Sequence, residues 1–184
     1  MSKFLRYAAV GAAMASFGIA SAAQAGTTDS ANATAQILTA LAVKVDTTAN
    51  TLNFGTIADG GLTANQSVTV DTTGTVTAGC AAGSKLVCGG TTAAPLFHVT
   101  GLASKLVNIS FVNANETLSY VGTAPSGFVS AMTANNFVTD AAANQVNLGL
   151  SGTADFKVGG TLVVQPNMAP GVYTGTVSVS VAYN

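Results

Sequence analysis

Two cysteines, one histidine and a scatter of aspartates are the side chains from which this chain would have to build any chemistry. Cys80 and Cys88 enclose only Ala81 to Val87. With no Cys-x-x-Cys spacing and no accompanying histidine cluster, they fit neither a redox pair nor half a metal site, and a structural disulfide between them is expected. Closing so short a loop contributes about 2.5 kcal/mol in the chain-entropy account. His98 stands between Phe97 and Val99 in a strand-like run, so its ring faces away from theirs. No partner for acid–base or nucleophilic work can be identified for it in the sequence. Asp46, Asp59, Asp71, Asp140 and Asp155 are dispersed, without the spacing of a calcium loop or a recognisable carboxylate pair. Gly89-Gly90 and Gly159-Gly160 follow strand-like runs and open no helix, so they read as turns and not as phosphate loops. The expectation is a protein that is not an enzyme and holds no cofactor and no metal.

The first residues set the compartment. Lys3 and Arg6 precede an apolar run from Ala8 to Ala20, and Ala23-Gln24-Ala25 supplies a small-x-small cleavage site. This is the pattern of a secretory signal peptide over residues 1–25. The run is shorter than the roughly 20 residues a membrane-spanning helix needs. The expected product is exported through the inner membrane, passes the periplasm and resides at the cell surface or in an extracellular fibre. Disulfides persist in such places, which suits Cys80 and Cys88.

Beyond Ala25 the chain keeps four lysines, no arginine and seven acidic residues, a net charge of −3. No basic patch is available for phosphate, so nucleic acid is not an expected partner. Charged residues make up 7 % of the chain, against about 25 % in ordinary soluble domains. Disorder needs low hydrophobicity and high charge, and this composition has neither. About 160 residues suffice for one domain with a real core.

Strand signals recur every ten or so residues with turn residues between them, the rhythm of an all-β sandwich or barrel. Expected strands are 36–45, 51–57, 67–71, 96–100, 106–112, 117–121, 145–150, 155–158, 162–165 and 172–183, with a short helix allowed over 131–143. In the last strand Tyr173, Val177, Val179, Val181 and Tyr183 share one parity, while Thr174, Thr176, Ser178 and Ser180 hold the other. That is the period-two pattern of a half-buried strand, so the chain ends inside its own core. Before it, Phe156 to Gln165 reads as a hairpin. A three-residue loop, Gly159-Gly160-Thr161, pairs Val158 with Leu162 and Phe156 with Val164, and puts all four on one side.

Several short motifs occur in order: Leu52-Asn-Phe-Gly-Thr-Ile57, Phe97-His-Val-Thr-Gly101, Phe156-x-Val-Gly-Gly-Thr-Leu162, and Pro170-Gly-x-Tyr-x-Gly175 running to Val181-Ala-Tyr-Asn184. Together they resemble the secreted bacterial family DUF4402 over essentially the whole chain after the signal. That family is similar in organisation to spore coat protein U and to chaperone–usher pilin domains. The resemblance implies an immunoglobulin-like antiparallel β-sandwich with a penultimate aromatic on its terminal strand. It further implies a structural subunit of a surface fibre (a pilus or fimbrium) or coat, with copies of itself as partners and a periplasmic chaperone and outer-membrane usher as candidate partners. The commonest pilins tie their first two strands with a disulfide, whereas Cys80 and Cys88 close a local loop.

Polymerisation by strand donation needs a free N-terminal segment with alternating apolar residues and a terminal strand beside a gap. Over residues 26–45, Ala31, Ala33, Ala35 and Ile37 alternate with Asn32, Thr34 and Gln36, followed after a phase break by Leu41, Val43 and Val45. Alanine methyls bury little area, so Ile37, Leu41, Val43 and Val45 would supply most of the anchoring. The same segment reads equally as the first strand of its own sandwich, leaving 46–184 as the rest of the domain. Donated between subunits, it would make the terminal strand the wall of an assembly groove. The runner-up function is a secreted monomeric binding or adhesion module for a glycan or protein, though no Trp is present and Tyr120, Tyr173 and Tyr183 read as core. An outer-membrane barrel ranks third, because such chains usually end on the aromatic and this one ends on Asn184.

Overall fold

The computed structural model describes residues 29–184, and the signal peptide expected over 1–25 lies outside them. Residues 37–184 form one compact unit. Its strands are β1 Ala42–Val45, β2 Thr56–Asp59, β3 Gln66–Val70, β4 Val76–Ala78, β5 Leu86–Gly89, β6 Leu96–Thr100 and β7 Leu106–Phe111. They continue with β8 Asn115–Tyr120, β9 Ala131–Thr139, β10 Gln145–Asn147, β11 Thr153–Val164, β12 Tyr173–Thr174 and β13 Val179–Tyr183. Among the described residues no helix is long and apolar enough to cross a membrane.

The largest sheet runs β1-β6-β11-β9-β8-β12, with β3 and then β4 branching from β11. A second sheet is β10-β7-β13, and β2 pairs with β5. Every ladder between these strands is antiparallel. Two apolar clusters fill the spaces between sheets. Phe97, Val99, Phe156 and Val158 meet Val107, Ile109 and Leu148 in one. Val68, Val70, Met132, Ala134, Leu162 and Val164 meet Phe54 and Leu86 in the other. The expected all-β antiparallel sandwich is what the chain forms.

β11 is the element common to both clusters, and it corrects the expected hairpin. Phe156 to Val164 makes no turn; it lies within one strand of 12 residues. The first half, Thr153 to Lys157, pairs with β6, and the second, Gly160 to Val164, pairs with β3. Phe156 therefore faces Phe97 across the ladder, not Val164, and Leu162 faces Val68, not Val158. The four apolar residues are all buried, but two serve each cluster. The two glycines answer to crowding. A Cβ on Gly159 would lie 2.7 Å from the Val70 carbonyl oxygen, and one on Gly160 would lie 2.8 Å from the Phe137 ring. The ladder to β9 shifts register between Gly159 and Thr161, the bulge that takes the strand from one cluster to the next.

The stretch allowed as a helix, 131–143, is instead strand β9 followed by one 3-10 turn, Ala142–Asn144. Met132 and Ala134 are buried between less buried neighbours, a period of two that the alanine content disguised. The terminal strand is also divided. Tyr173–Thr174 pairs with β8, and Val179–Tyr183 pairs with β7 in the other sheet. Parity survives the interruption, but Tyr173 packs in the first-sheet cluster of β3 and β9, while Val177, Val179, Val181 and Tyr183 pack in that of β6 and β7.

Candidate functional site

Residues 29–36 carry no strand, and Ala31, Ala33 and Ala35 are exposed. Ile37 is 96 % exposed. Pairing begins only at Ala42, which faces Thr100, so that Val43 faces Val99 and Val45 faces Phe97. Leu41 and Val43 are half-buried and pack against the β6–β7–β11 cluster of their own chain. The candidate donor residues thus divide: Leu41 and Val43 belong to the fold, while Ala31, Ala33, Ala35 and Ile37 stand outside its strands.

Tyr183 joins the two ends of this arrangement. Its hydroxyl donates to the Thr39 carbonyl at 2.8 Å and accepts the Leu102 N–H at 2.7 Å. Gly101 makes room for it, since a Cβ there would meet the Tyr183 hydroxyl, Leu41 and Leu148 together. Among the described residues β13 pairs with β7 on one side only. Its inward residues Val179 and Val181, like Val177 before it, are half-buried. At the far end of the same segment, Tyr173 stands edge-on to Tyr120, their ring centres 5.5 Å apart, and its hydroxyl is 2.8 Å from the Ala169 carbonyl. Burial pushes that hydroxyl above its ordinary range.

Cys80 and Cys88 are bonded to each other, with their Cα atoms 5.6 Å apart. Cys88 lies on β5 opposite Ile57. Both half-cystines pack against the cluster of β3 and β9, so the bridge fixes the loop between β4 and β5 onto that core.

His98 has partners that the sequence did not disclose. Its ring points outward from β6, as expected from buried Phe97 and Val99, and its side chain is 40 % exposed. Nδ1 lies 2.7 Å from Asp155 Oδ1, and Nε2 lies 3.1 Å from Asp46 Oδ2. Asp155 sits directly across from His98 on β11, and Asp46 comes just after the last residue of β1. A neutral imidazole has one N–H and would leave one carboxylate facing a lone pair, so this geometry favours the imidazolium. The Asp46 bond first and the Asp155 bond second raise the His98 pKa above 6.5. Asp46 is held well below the usual carboxylate range, chiefly by the Ala49 N–H, then by the Thr48 hydroxyl and His98. With both ring nitrogens occupied by carboxylates, the cluster presents none to a nucleophile. Only the strand register brings these residues together, and no spacing in the sequence encodes it.

Asp140 accepts the Lys157 N–H at 2.8 Å, whereas Asp59 and Asp71 turn the chain. Asp59 accepts the N–H groups of Gly61 and Leu62, and Asp71 accepts those of Thr73 and Thr75. Among the described residues no group of three or more His, Cys, Asp or Glu side chains is placed to hold a metal ion.

Comparison with known proteins gives a single kind of match. The model of a family described as a domain of unknown function, DUF4402, covers residues 43–183. No curated protein and no solved structure matches the chain. The family match runs from β1 to the Tyr183 of β13 and so spans the whole sandwich, which means that the chain belongs to the DUF4402 family.

Proposed function

We propose that this protein is an exported structural subunit of a bacterial surface fibre or coat, assembling with copies of itself by strand donation from its N-terminal segment. The observation that carries the reading is the state of residues 29–40. They form no strand, alternate small or apolar with polar side chains from Ala31 to Ile37, and include an isoleucine left 96 % exposed. A segment of this kind, uncharged from Ser30 onward, is suited to adding as a strand to an unpaired sheet edge. β13 offers such an edge, with three half-buried valines along its inward side and its approach, and neither proline nor charge within it. Natural proteins normally blunt exposed edges with lysine, proline or a bulge. An edge left unblunted is expected where a partner strand covers it.

A second reading, a self-complete secreted module that binds a protein or glycan, draws on the pairing of β1 with its own β6. One experiment separates the two: the full-length protein recovered from cells is run unboiled on a denaturing gel and imaged by electron microscopy. Strand donation gives a heat-sensitive ladder and filaments. A uniform monomer that stays monomeric when concentrated supports the self-complete module.

A further inference from the structure

The His98 cluster lies at the root of the candidate donor segment. β1 is only four residues long, is an edge strand, and contributes one half-buried apolar side chain, Val43, while Val45 is 44 % exposed. Strands with so little buried surface open locally at low cost. The turn just after β1 is tied unusually well. Asp46 donates its backbone N–H to the Leu96 carbonyl and accepts the Thr48 and Ala49 N–H groups through Oδ1. Its Oδ2 is left to His98 of β6, whose other nitrogen is held by Asp155 of β11. One imidazole on β6 thus ties the end of β1 on one side to β11 on the other, through its two ring nitrogens.

We propose that the Asp46–His98–Asp155 bridge is a proton-operated latch on β1: as imidazolium it holds residues 42–45 on their own sheet, and on losing its proton it lets that edge strand open. Three strands supply the charged groups around it. β1 presents Lys44 directly across from His98, and Asp46 just beyond. β11 presents Asp155 across from His98, with Lys157 two residues farther along the same side. β6 carries no charged residue other than His98. Lys44 opposes protonation, but the two carboxylates make the direct contacts, and carboxylates favour the imidazolium.

The raised His98 pKa fixes the sign. A group whose folded pKa lies above 6.5 contributes stability that is complete below 6.5 and is lost as pH rises through the folded value. The latch is therefore closed below pH 6.5 and loosened as pH rises through the folded His98 value. Its consequence for assembly rests on the strand-donation reading: opening β1 would lengthen the free segment from residues before Ala42 to residues through Val45.

The test is amide hydrogen exchange on the full-length monomer, with intrinsic rates corrected for pH, comparing wild type with His98→Gln. The protection of residues 42–46 is expected to fall about three- to tenfold as pH rises from below 6.5 through the folded His98 value. In His98→Gln the same amides exchange faster at acid pH, and their protection no longer depends on pH. The Phe156–Val158 amides of β11 serve as the internal control and stay protected in both proteins. Protection of 42–46 that is flat with pH in wild type, or a pH dependence that persists in His98→Gln, overturns the latch. Because the measurement is made on the monomer, failure of strand donation leaves its outcome unaffected.

Discussion

The Tyr183 hydroxyl donates to the Thr39 carbonyl at 2.8 Å, linking the last strand of the sandwich to the residues that lead into the first. The same oxygen accepts the Leu102 N–H, so one side chain gathers three separate stretches of chain. The aromatic near the end is therefore a packing residue that also decides where the N-terminal segment leaves the fold.

Tyr183→Phe keeps the ring in the β6–β7 cluster and removes both bonds. The Leu102 N–H loses its acceptor in a partly buried site, so the expected loss is about 1 to 2 kcal/mol. Urea unfolding measures it, and limited proteolysis is expected to show earlier cleavage within residues 37–41. An unchanged urea midpoint with unchanged cleavage would deny the tyrosine this role.

Gly159→Ala and Gly160→Ala test the account of β11. If the pair formed an exposed hairpin loop, alanine would meet no neighbouring atom and would cost only the left-handed backbone penalty, about 1 kcal/mol. In the continuous strand, Gly159→Ala drives a methyl into the backbone at Val70 and Asp71, and Gly160→Ala drives one into Phe137. Overpacking of this kind costs about 1 to 3 kcal/mol. The Gly159 variant is expected to suffer more, because backbone yields less readily than the edge of a ring. Thermal unfolding of the two variants checks both the size and the order.

These glycines also mark where sequence reading fails. The strand 96–100 was legible to the residue, because Phe97 and Val99 alternate with His98 and are bounded by Pro95 and Gly101. The pairing of Cys80 with Cys88 followed from there being only two thiols. Gly159-Gly160 has the same local signature whether it turns the chain or admits a neighbouring backbone, and only the tertiary contacts distinguish them. β4 and β5 are hidden among glycines, alanines and threonines, since three or four residues carry too little alternation to mark a strand. The His98 bridge was invisible for another reason: Asp46, His98 and Asp155 are far apart along the chain and meet only through the β1–β6–β11 register.

Removing the disulfide is expected to lower stability without abolishing the fold. The bridge closes a short loop, so Cys80→Ala with Cys88→Ala should cost about 2.5 kcal/mol. Both half-cystines pack on the cluster that includes Leu86 and Val68. Loss of the bridge should accordingly raise amide exchange first in β5 and β2, while β6 and β7, which serve the other cluster, stay protected. Equal loosening of both regions would show that the two clusters do not behave separately.

The central claim is that residues before β1 become a strand of another copy. Amide hydrogen exchange on Ala31 to Ile37, read in assembled material and again in heat-dissociated monomer, tests it most directly. Donation predicts slow exchange in the assembly, arising from new main-chain hydrogen bonds, and fast exchange in the monomer. Fast exchange over Ala31 to Ile37 in the assembled material would contradict the account, whatever the appearance of the filaments.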